Sequence, residues 1–297
     1  MMNMRNFLIM AIALIGGVAS YAQSNLLNAR IPEEIGLKTK AQQISDNDKP
    51  LAYGYVHDRD VLMGKMVWEI IDLSERINFP LYFPIDTANI GPDRRSLYDV
   101  LTRAIKEERI TEVYADSYFN TKKTYKDIQA SLSRIDTTDA GREQINAGQK
   151  VSEEYIMRSD LTAQDVTQYK IKGFWYFDKR QSELKYRLLA ICPVTPDVYT
   201  MNSEEKDYIE LFWIFFPDAR EVLHEAKSFN NKNSAMPISF DQILNARRFN
   251  SVIYKEENVY GDREIKEYMK DNAQNQLLEA ERVKEKIRDF ESDMWNY

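Results

Sequence analysis

The sequence predicts an α+β protein in which antiparallel strands pack with amphipathic helices. Alternating apolar residues flank a polar turn between positions 171 and 192, as in a β-hairpin. Two segments that each begin near a serine, at 96 and 239, carry apolar residues at helical spacing. The chain ends in a long charged segment with one narrow apolar stripe, which predicts a long C-terminal helix.

The N-terminal segment has the three parts of a secretory signal peptide. Arg5 precedes an apolar run from Phe7 to Val18, and small residues stand at Ser20 and Ala22. This pattern predicts a signal peptide over residues 1–22 with cleavage after Ala22. A membrane span needs about 20 apolar residues, so we expect export without a direct membrane span, and a retained N-terminal anchor is the alternative. With no cysteine near the cleavage point, a lipoprotein anchor is not expected.

Composition limits the kinds of partner and of stabilisation. Cys192 is the single cysteine, so an internal disulfide is excluded and a hydrophobic core must stabilise the chain. The formal charge of -7 argues against nucleic acid as a partner, because phosphate binding requires a basic face.

Residues 23–50 are polar and without period, which predicts an extended N-terminal arm. A helix is then predicted over 58–77, with Asp58 or Asp60 at its start. Trp68 lies at the border of its polar face and is a predicted partner contact. The stripe predicted to pack in the core contains Leu62, Met66, Ile70, Leu73 and Ile77.

The segment "NFPLYFPID" cannot continue that helix, because Pro80 and Pro84 each lack an N–H group. It predicts an edge strand or a tightly held loop, with Tyr82 and Phe83 bracing the helix or a neighbouring subunit. A second helix is predicted around "SLYDVLTRAIK". The polar stretch 136–150 predicts a linker between a helical α+β subdomain (51–135) and a strand-rich α+β subdomain (151–297).

In the second subdomain the predicted hairpin places Leu184, Leu188 and Cys192 on one face. "IELFWIFFP" is nearly continuous in apolar residues, which predicts a central strand covered on both faces. "SFDQILNARRF" predicts a helix and "NSVIYK" a strand. On the C-terminal helix the stripe resembles a packing seam. Its members include the predicted partner contacts Val283, Ile287, Phe290 and Met294.

The sequence lacks the usual catalytic motifs, so no catalytic, cofactor-binding or metal-binding residue is predicted. His57 and His224 lack the spacing of a zinc hydrolase, and neither a nucleophile elbow nor a phosphate-binding loop is present. The carboxylate pairs Asp58/Asp60 and Glu256/Glu257 leave an acid–base hydrolase as one alternative. With 47 acidic residues, such pairs also arise by chance.

Three aromatic residues in predicted strands leave a second alternative, a periplasmic carbohydrate-binding module. Trp175, Tyr176 and Trp213 have rings able to stack on sugars. In strands of alternating pattern, however, such residues are more often core or interface anchors.

Three long blocks resemble the GldN family of gliding-motility proteins, called PorN in bacteria that only secrete. They are "YGYVHDRDVLMGKMVWEIIDLSERINFPLYFP", "SLYDVLTRAIKEERITEVYAD" and "FDQILNARRFNSVIYKEENVYGDREIKEYM". The blocks occur in the family's order and span most of the mature chain. His57 and Met63 depart from the pattern, where an acidic residue and a tryptophan are expected.

The resemblance implies a non-enzymatic structural component of the type IX secretion system, without cofactor. Such a protein is expected in the periplasm, associated with the outer membrane through a lipoprotein of the GldK/PorK type. The family implies self-association in a ring with that lipoprotein and contact with a motor protein of the GldM/PorM type. No catalytic residue is implied.

Overall fold

The computed structural model describes residues 31, 48–87, 90, 94–137, 142, 144, 146–148, 155–197, 207–230, 237–270 and 272–295. Met1–Lys49 and Pro50–Tyr297 are separate compact units, and the architecture below is that of Pro50–Tyr297. The predicted cleavage after Ala22, nearly all of the arm 23–50 and most of the linker 136–150 lie outside the described residues.

The described elements alternate between short helices and antiparallel strands, which confirms the predicted α+β class. The strands are β1 (Val61–Asp72), β2 (Val113–Tyr114), β3 (Lys122–Lys123), β4 (Ser133–Thr137), β5 (Ile156–Asp160), β6 (Gln168–Asp178), β7 (Glu183–Pro196), β8 (Tyr208–Glu210), β9 (Ile214–Phe215), β10 (Lys227–Ser228), β11 (Ile238–Ser239) and β12 (Val252–Glu256). The helices are α1 (Phe79–Tyr82), α2 (Leu97–Lys106), α3 (Tyr125–Leu132), α4 (Phe216–Glu225), α5 (Phe240–Asn245), α6 (Ile265–Tyr268) and α7 (Ala273–Trp295).

The main sheet has the strand order β12-β1-β6-β7-β8, and β9 also pairs with β7. All of these pairings are antiparallel. Three two-stranded ribbons, β2-β3, β4-β5 and β10-β11, lie outside it. The sheet joins β1, from the predicted first subdomain, to β6 and β7 of the second, while the proposed boundaries stay a prediction.

The prediction of a helix over 58–77 is wrong, because most of this segment is strand β1 in the middle of the sheet. It pairs with β6 along its whole length and with β12 from Val67 to Ile70. A strand paired on both sides and covered on both faces accepts apolar residues at successive positions. Val67 and Trp68 are therefore both buried, on opposite faces, while the expected core residue Leu62 is exposed.

Charged residues of β1 pair with distant segments of the chain. Lys65 forms an ion pair with Glu256 on β12 at 3.0 Å, and Glu69 pairs with Arg247. Asp60 belongs to a 3-10 turn, Asp58–Asp60, and caps no α-helix. The prediction failed because apolar spacing in "VLMGKMVWEIID" fits a two-faced strand as well as a helix.

Two further predictions of extended structure are wrong. Residues 79–82 form the short helix α1, because Pro80 occupies its first turn, where no N–H donor is needed. The continuous strand expected at 209–217 is divided into β8 and β9, and Phe216 begins helix α4, with Pro217 again in the first turn.

Helix α2 and the β6–β7 hairpin are present where the sequence predicts them. Helix α2 begins after Ser96, whose hydroxyl accepts a hydrogen bond from the Asp99 amide at 3.3 Å. The hairpin β6–β7 is present, but a bulge pairs Lys172 with Ala190 and Gly173 with Leu188. Because this bulge adds one residue, Leu188 and Cys192 pack in different clusters, contrary to the predicted common face.

The core has three parts around the sheet. The largest joins one face to helices α2, α4 and α5. On the same face near β12, helix α7 buries Ala280, Val283 and Ile287 against Val67 and Ile253. The opposite face carries a smaller cluster of Trp68, Ala190, Cys192, Val194 and Trp213.

Candidate interaction surfaces

Among the described residues, no group of three or more His, Cys, Asp and Glu side chains is arranged to hold a metal ion. The Cys192 thiol is fully buried and donates to the Pro193 carbonyl at 3.3 Å. Burial raises its pKa well above that of an ordinary thiol. Nothing in this environment activates it as a nucleophile.

The aromatic residues considered for sugar binding do not form an exposed platform. Trp213 and Tyr176 are buried, and Trp175 is half-buried with its ring 4.9 Å from that of Tyr186. The Trp213 indole donates to Glu210 at 2.7 Å, which satisfies its N–H group inside the fold. These rings act as core anchors in this structure.

A buried ion pair connects the central strand to the segment after helix α5. Glu69 is 1% exposed and accepts two hydrogen bonds from the Arg247 guanidinium, at 3.1 and 2.7 Å. The Ser251 hydroxyl also donates to Glu69. The guanidinium lies 4.1 Å from the centre of the Tyr186 ring. This bidentate pair is strongly directional and fixes β1 to the far end of the chain.

Residues 50–56, hereafter the strap, cross the surface between the β6–β7 hairpin and helix α4. The Tyr53 ring lies between two guanidinium groups, 4.1 Å from that of Arg220 and 4.7 Å from that of Arg187. Its hydroxyl donates to the Asn245 side chain at 2.7 Å. Arg220 donates to the Leu51 carbonyl at 2.6 Å and Arg187 to the Gly54 carbonyl at 3.1 Å.

The groove beneath the strap, hereafter the strap groove, is held by contacts of its own. Arg220 is buried and donates to both carboxylate oxygens of Asp241, at 2.8 and 3.3 Å. The Asn245 amide donates to the same carboxylate at 2.7 Å. A cavity of about 350 Å³ remains between the strap and the hairpin, bordered by Tyr176 and Tyr186 among others.

Two lysines lie among aromatic rings on the opposite face of the sheet. The Trp68 ring centre is 5.0 Å from the Lys172 ammonium and 4.7 Å from that of Lys255. The Tyr118 hydroxyl donates to Asp262 at 2.8 Å, which brings a carboxylate to this cluster. Burial lowers the pKa of Lys172, and the nearby Lys255 charge lowers it further.

Asp262 also braces a loop that exposes two apolar side chains. Its carboxylate accepts from the Asn258 amide at 3.0 Å, and the Asn258 side chain accepts from the Tyr260 amide at 3.0 Å. The chain reverses through left-handed conformations at Gly261 and Asp262. Val259 is 93% exposed and Tyr260 70% exposed. A fixed loop with an apolar tip is typical of a docking element.

A second group of exposed apolar side chains, hereafter the aromatic patch, comprises Ile77, Phe79, Phe83 and Phe229. The rings of Phe79 and Phe83 meet edge to face at 5.3 Å. Phe229 is joined to this segment through Ser228, whose hydroxyl donates to the Pro80 carbonyl at 2.7 Å. Contiguous exposed aromatic groups favour a protein-binding surface.

The residues predicted to contact partners occupy different depths in this fold. Those buried within the chain are Trp68, Val283 and Ile287. Those half-buried are Tyr82, Phe290 and Met294, and Phe83 is exposed. Their role in partner contact stays a prediction, and a buried side chain reaches a partner only if the fold opens.

Sequence reasoning missed the strap groove and the Glu69–Arg247 pair. The aromatic residues of "YGY", directly after the polar arm, were the available signal for the strap. Arg220 lies between Ala219 and Val222 on the buried side of helix α4, where an arginine needs a partner of opposite charge.

The sequence model of a protein family described as gliding motility associated protein GldN matches residues 56–296. No curated protein matches the chain. Within the described residues, none of the helices combines the length and apolar character needed to cross a bilayer.

Proposed function

The chain belongs to the GldN family of gliding motility associated proteins, and on that premise we propose that it is a structural, non-enzymatic subunit of a periplasmic ring. Family membership makes it a component of the gliding motility and type IX secretion machinery. The match carries the proposal, because it spans nearly all of the compact unit Pro50–Tyr297.

In this proposal the ring forms with an outer-membrane lipoprotein of the GldK/PorK type and contacts a motor protein of the GldM/PorM type. Export by the predicted signal peptide over residues 1–22 supplies the periplasmic location. The lipoprotein supplies the association with the outer membrane.

Two exposed apolar surfaces support assembly with other proteins. A ring of identical subunits requires two different complementary patches on each subunit, and a partner protein requires a further one. The aromatic patch and the Val259–Tyr260 loop belong to different segments, and each exposes large apolar side chains to solvent. Aromatic residues such as the Phe and Tyr side chains of these surfaces are enriched at protein–protein interfaces.

The first test is the size of the native particle. The C-terminus is tagged in the native host, envelopes are extracted gently, and the co-purifying material is sized. We expect a very large particle that contains a lipoprotein in comparable abundance. A lone monomer, stable to mild crosslinking in cells, would contradict the ring.

The second test asks whether the aromatic patch contributes. We expect the double variant Phe79→Ser/Phe83→Ser to reduce the size of the particle while the purified chain keeps its melting temperature. Leu62→Ser is the matched control, because Leu62 is also apolar and exposed but lies at the start of strand β1. Assembly unchanged in the double variant removes this patch from the proposed interface.

A further inference from the structure

We propose that the strap groove of one copy accepts residues 50–56 of a neighbouring copy, so that adjacent subunits of the assembly exchange straps. This inference deepens the proposed function and rests on it, because exchange requires an assembly of copies. The side chains of the groove specify the occupant, which is an extended segment with a tyrosine ring and carbonyl groups on either side.

The strap is attached by side-chain contacts alone. The structure shows no backbone-to-backbone hydrogen bond from residues 50–56 to another described residue. The Tyr53 ring packs against Arg220 in the groove, and two guanidinium groups hold the Leu51 and Gly54 carbonyls. A segment without ladder hydrogen bonds leaves its site without breaking secondary structure.

The groove is formed independently of the strap. Asp241 fixes the Arg220 guanidinium at two atoms and also receives the Asn245 amide. The groups that recognise Tyr53 therefore keep their positions when the strap departs, and a preformed site binds without an ordering cost. Every copy carries both strap and groove, so exchange restores each contact of the closed subunit.

Two side chains near Tyr53 indicate which apolar surface strap exchange would bury. Leu51 is 85% exposed and Tyr55 is 81% exposed when the strap lies on its own subunit. The cavity beneath the strap shows that the segment covers the groove loosely. At a junction between copies, the same two side chains become covered by the neighbour, which favours exchange over closure within one subunit.

A cysteine pair distinguishes the two arrangements in the full-length protein in its host envelope. Gly54→Cys and Arg187→Cys are combined and treated with a short bismaleimide whose span replaces the arginine side chain. Tyr53 keeps its contacts with Arg220 and Asn245 in this variant, so the strap is still held. A β-carbon at Gly54 meets open space, and native Cys192 is fully buried and does not compete. The control pair is Lys65→Cys with Glu256→Cys, on adjacent strands that cannot separate without unfolding.

We expect large particles in which the 54/187 pair gives covalent dimers and longer ladders, while the 65/256 pair gives single chains only. Large particles with only internal crosslinks at 54/187 would overturn strap exchange and leave the ring proposal intact. Absence of any 54/187 crosslink, when the control pair reacts, would also overturn it, because the groove would then hold no strap. Loss of the large particle itself, with the parent chain that carries only native Cys192 also monomeric, would contradict the proposed function.

Discussion

Replacing Arg247 with methionine measures how much burial increases the contribution of an ion pair to the free energy of unfolding. The substitution keeps an apolar stem of similar length but removes both hydrogen bonds to Glu69, at 3.1 and 2.7 Å. Glu69 is then a carboxylate buried in the sheet, with the Ser251 hydroxyl as its remaining donor. Removing one partner of a buried pair costs about 3–5 kcal/mol.

That loss is a large part of the total free energy of unfolding, which is about 5–15 kcal/mol for a typical domain. Urea denaturation followed by circular dichroism measures it, provided that the slope of the transition is unchanged. The matched control is Arg103→Met. Arg103 pairs with Glu107 at the same 2.7 Å separation, but both side chains are exposed. We expect that control to lose little stability, because solvent screens the pair.

Equal losses in the two variants would refute the reasoning that burial decides the contribution. A second test is the double variant Glu69→Gln/Arg247→Met. Because it removes the uncompensated charge, it is expected to recover part of the stability that Arg247→Met loses. A double variant no more stable than Arg247→Met would show that the uncompensated charge of Glu69 is not the source of the loss.

Three other changes have defined outcomes. Val283→Glu places an unpaired charge in the cluster between helix α7 and β12, so we expect a loss of about 3 kcal/mol in urea denaturation; loss of assembly without loss of stability would contradict this packing. Gly173→Ala puts a β-carbon onto the Tyr186 hydroxyl and should cost about 1–3 kcal/mol, whereas Gly54→Ala, which meets nothing within 4 Å, is the neutral control. Burial raises the pKa of Tyr98 to about 12, so its contribution to stability is full below about pH 10 and is lost as pH rises toward 12. The urea midpoint of Tyr98→Phe should therefore fall less between about pH 8 and pH 11 than that of the parent, and equal falls would place the alkaline sensitivity elsewhere.

Local sequence predicts an element correctly when the residues of that element alone specify its structure. Ser96 and the apolar spacing after it predicted helix α2, and the polar turn between alternating segments predicted the β6–β7 hairpin. Local sequence was insufficient to predict β1, because apolar residues at successive positions suit either a helix or a strand paired on both sides. The choice depends on β6 and β12, which lie far along the chain.

The strap groove was beyond local reasoning for the same reason. Tyr53, Arg187 and Arg220 come from three distant segments, and only the fold brings them together. Even the face of a correctly predicted strand changed, since one bulge moved Cys192 to the other side of the sheet. Insertions of one residue in a ladder leave no reliable trace in hydrophobic period.

The separation of Glu69 and Arg247 along the chain delays their pairing during synthesis. The two residues are 178 positions apart, and a ribosome adds about 5–20 residues per second, so the carboxylate waits about 10–35 seconds for its partner. Until then the charge opposes burial of β1, because an unpaired carboxylate is expensive to remove from water.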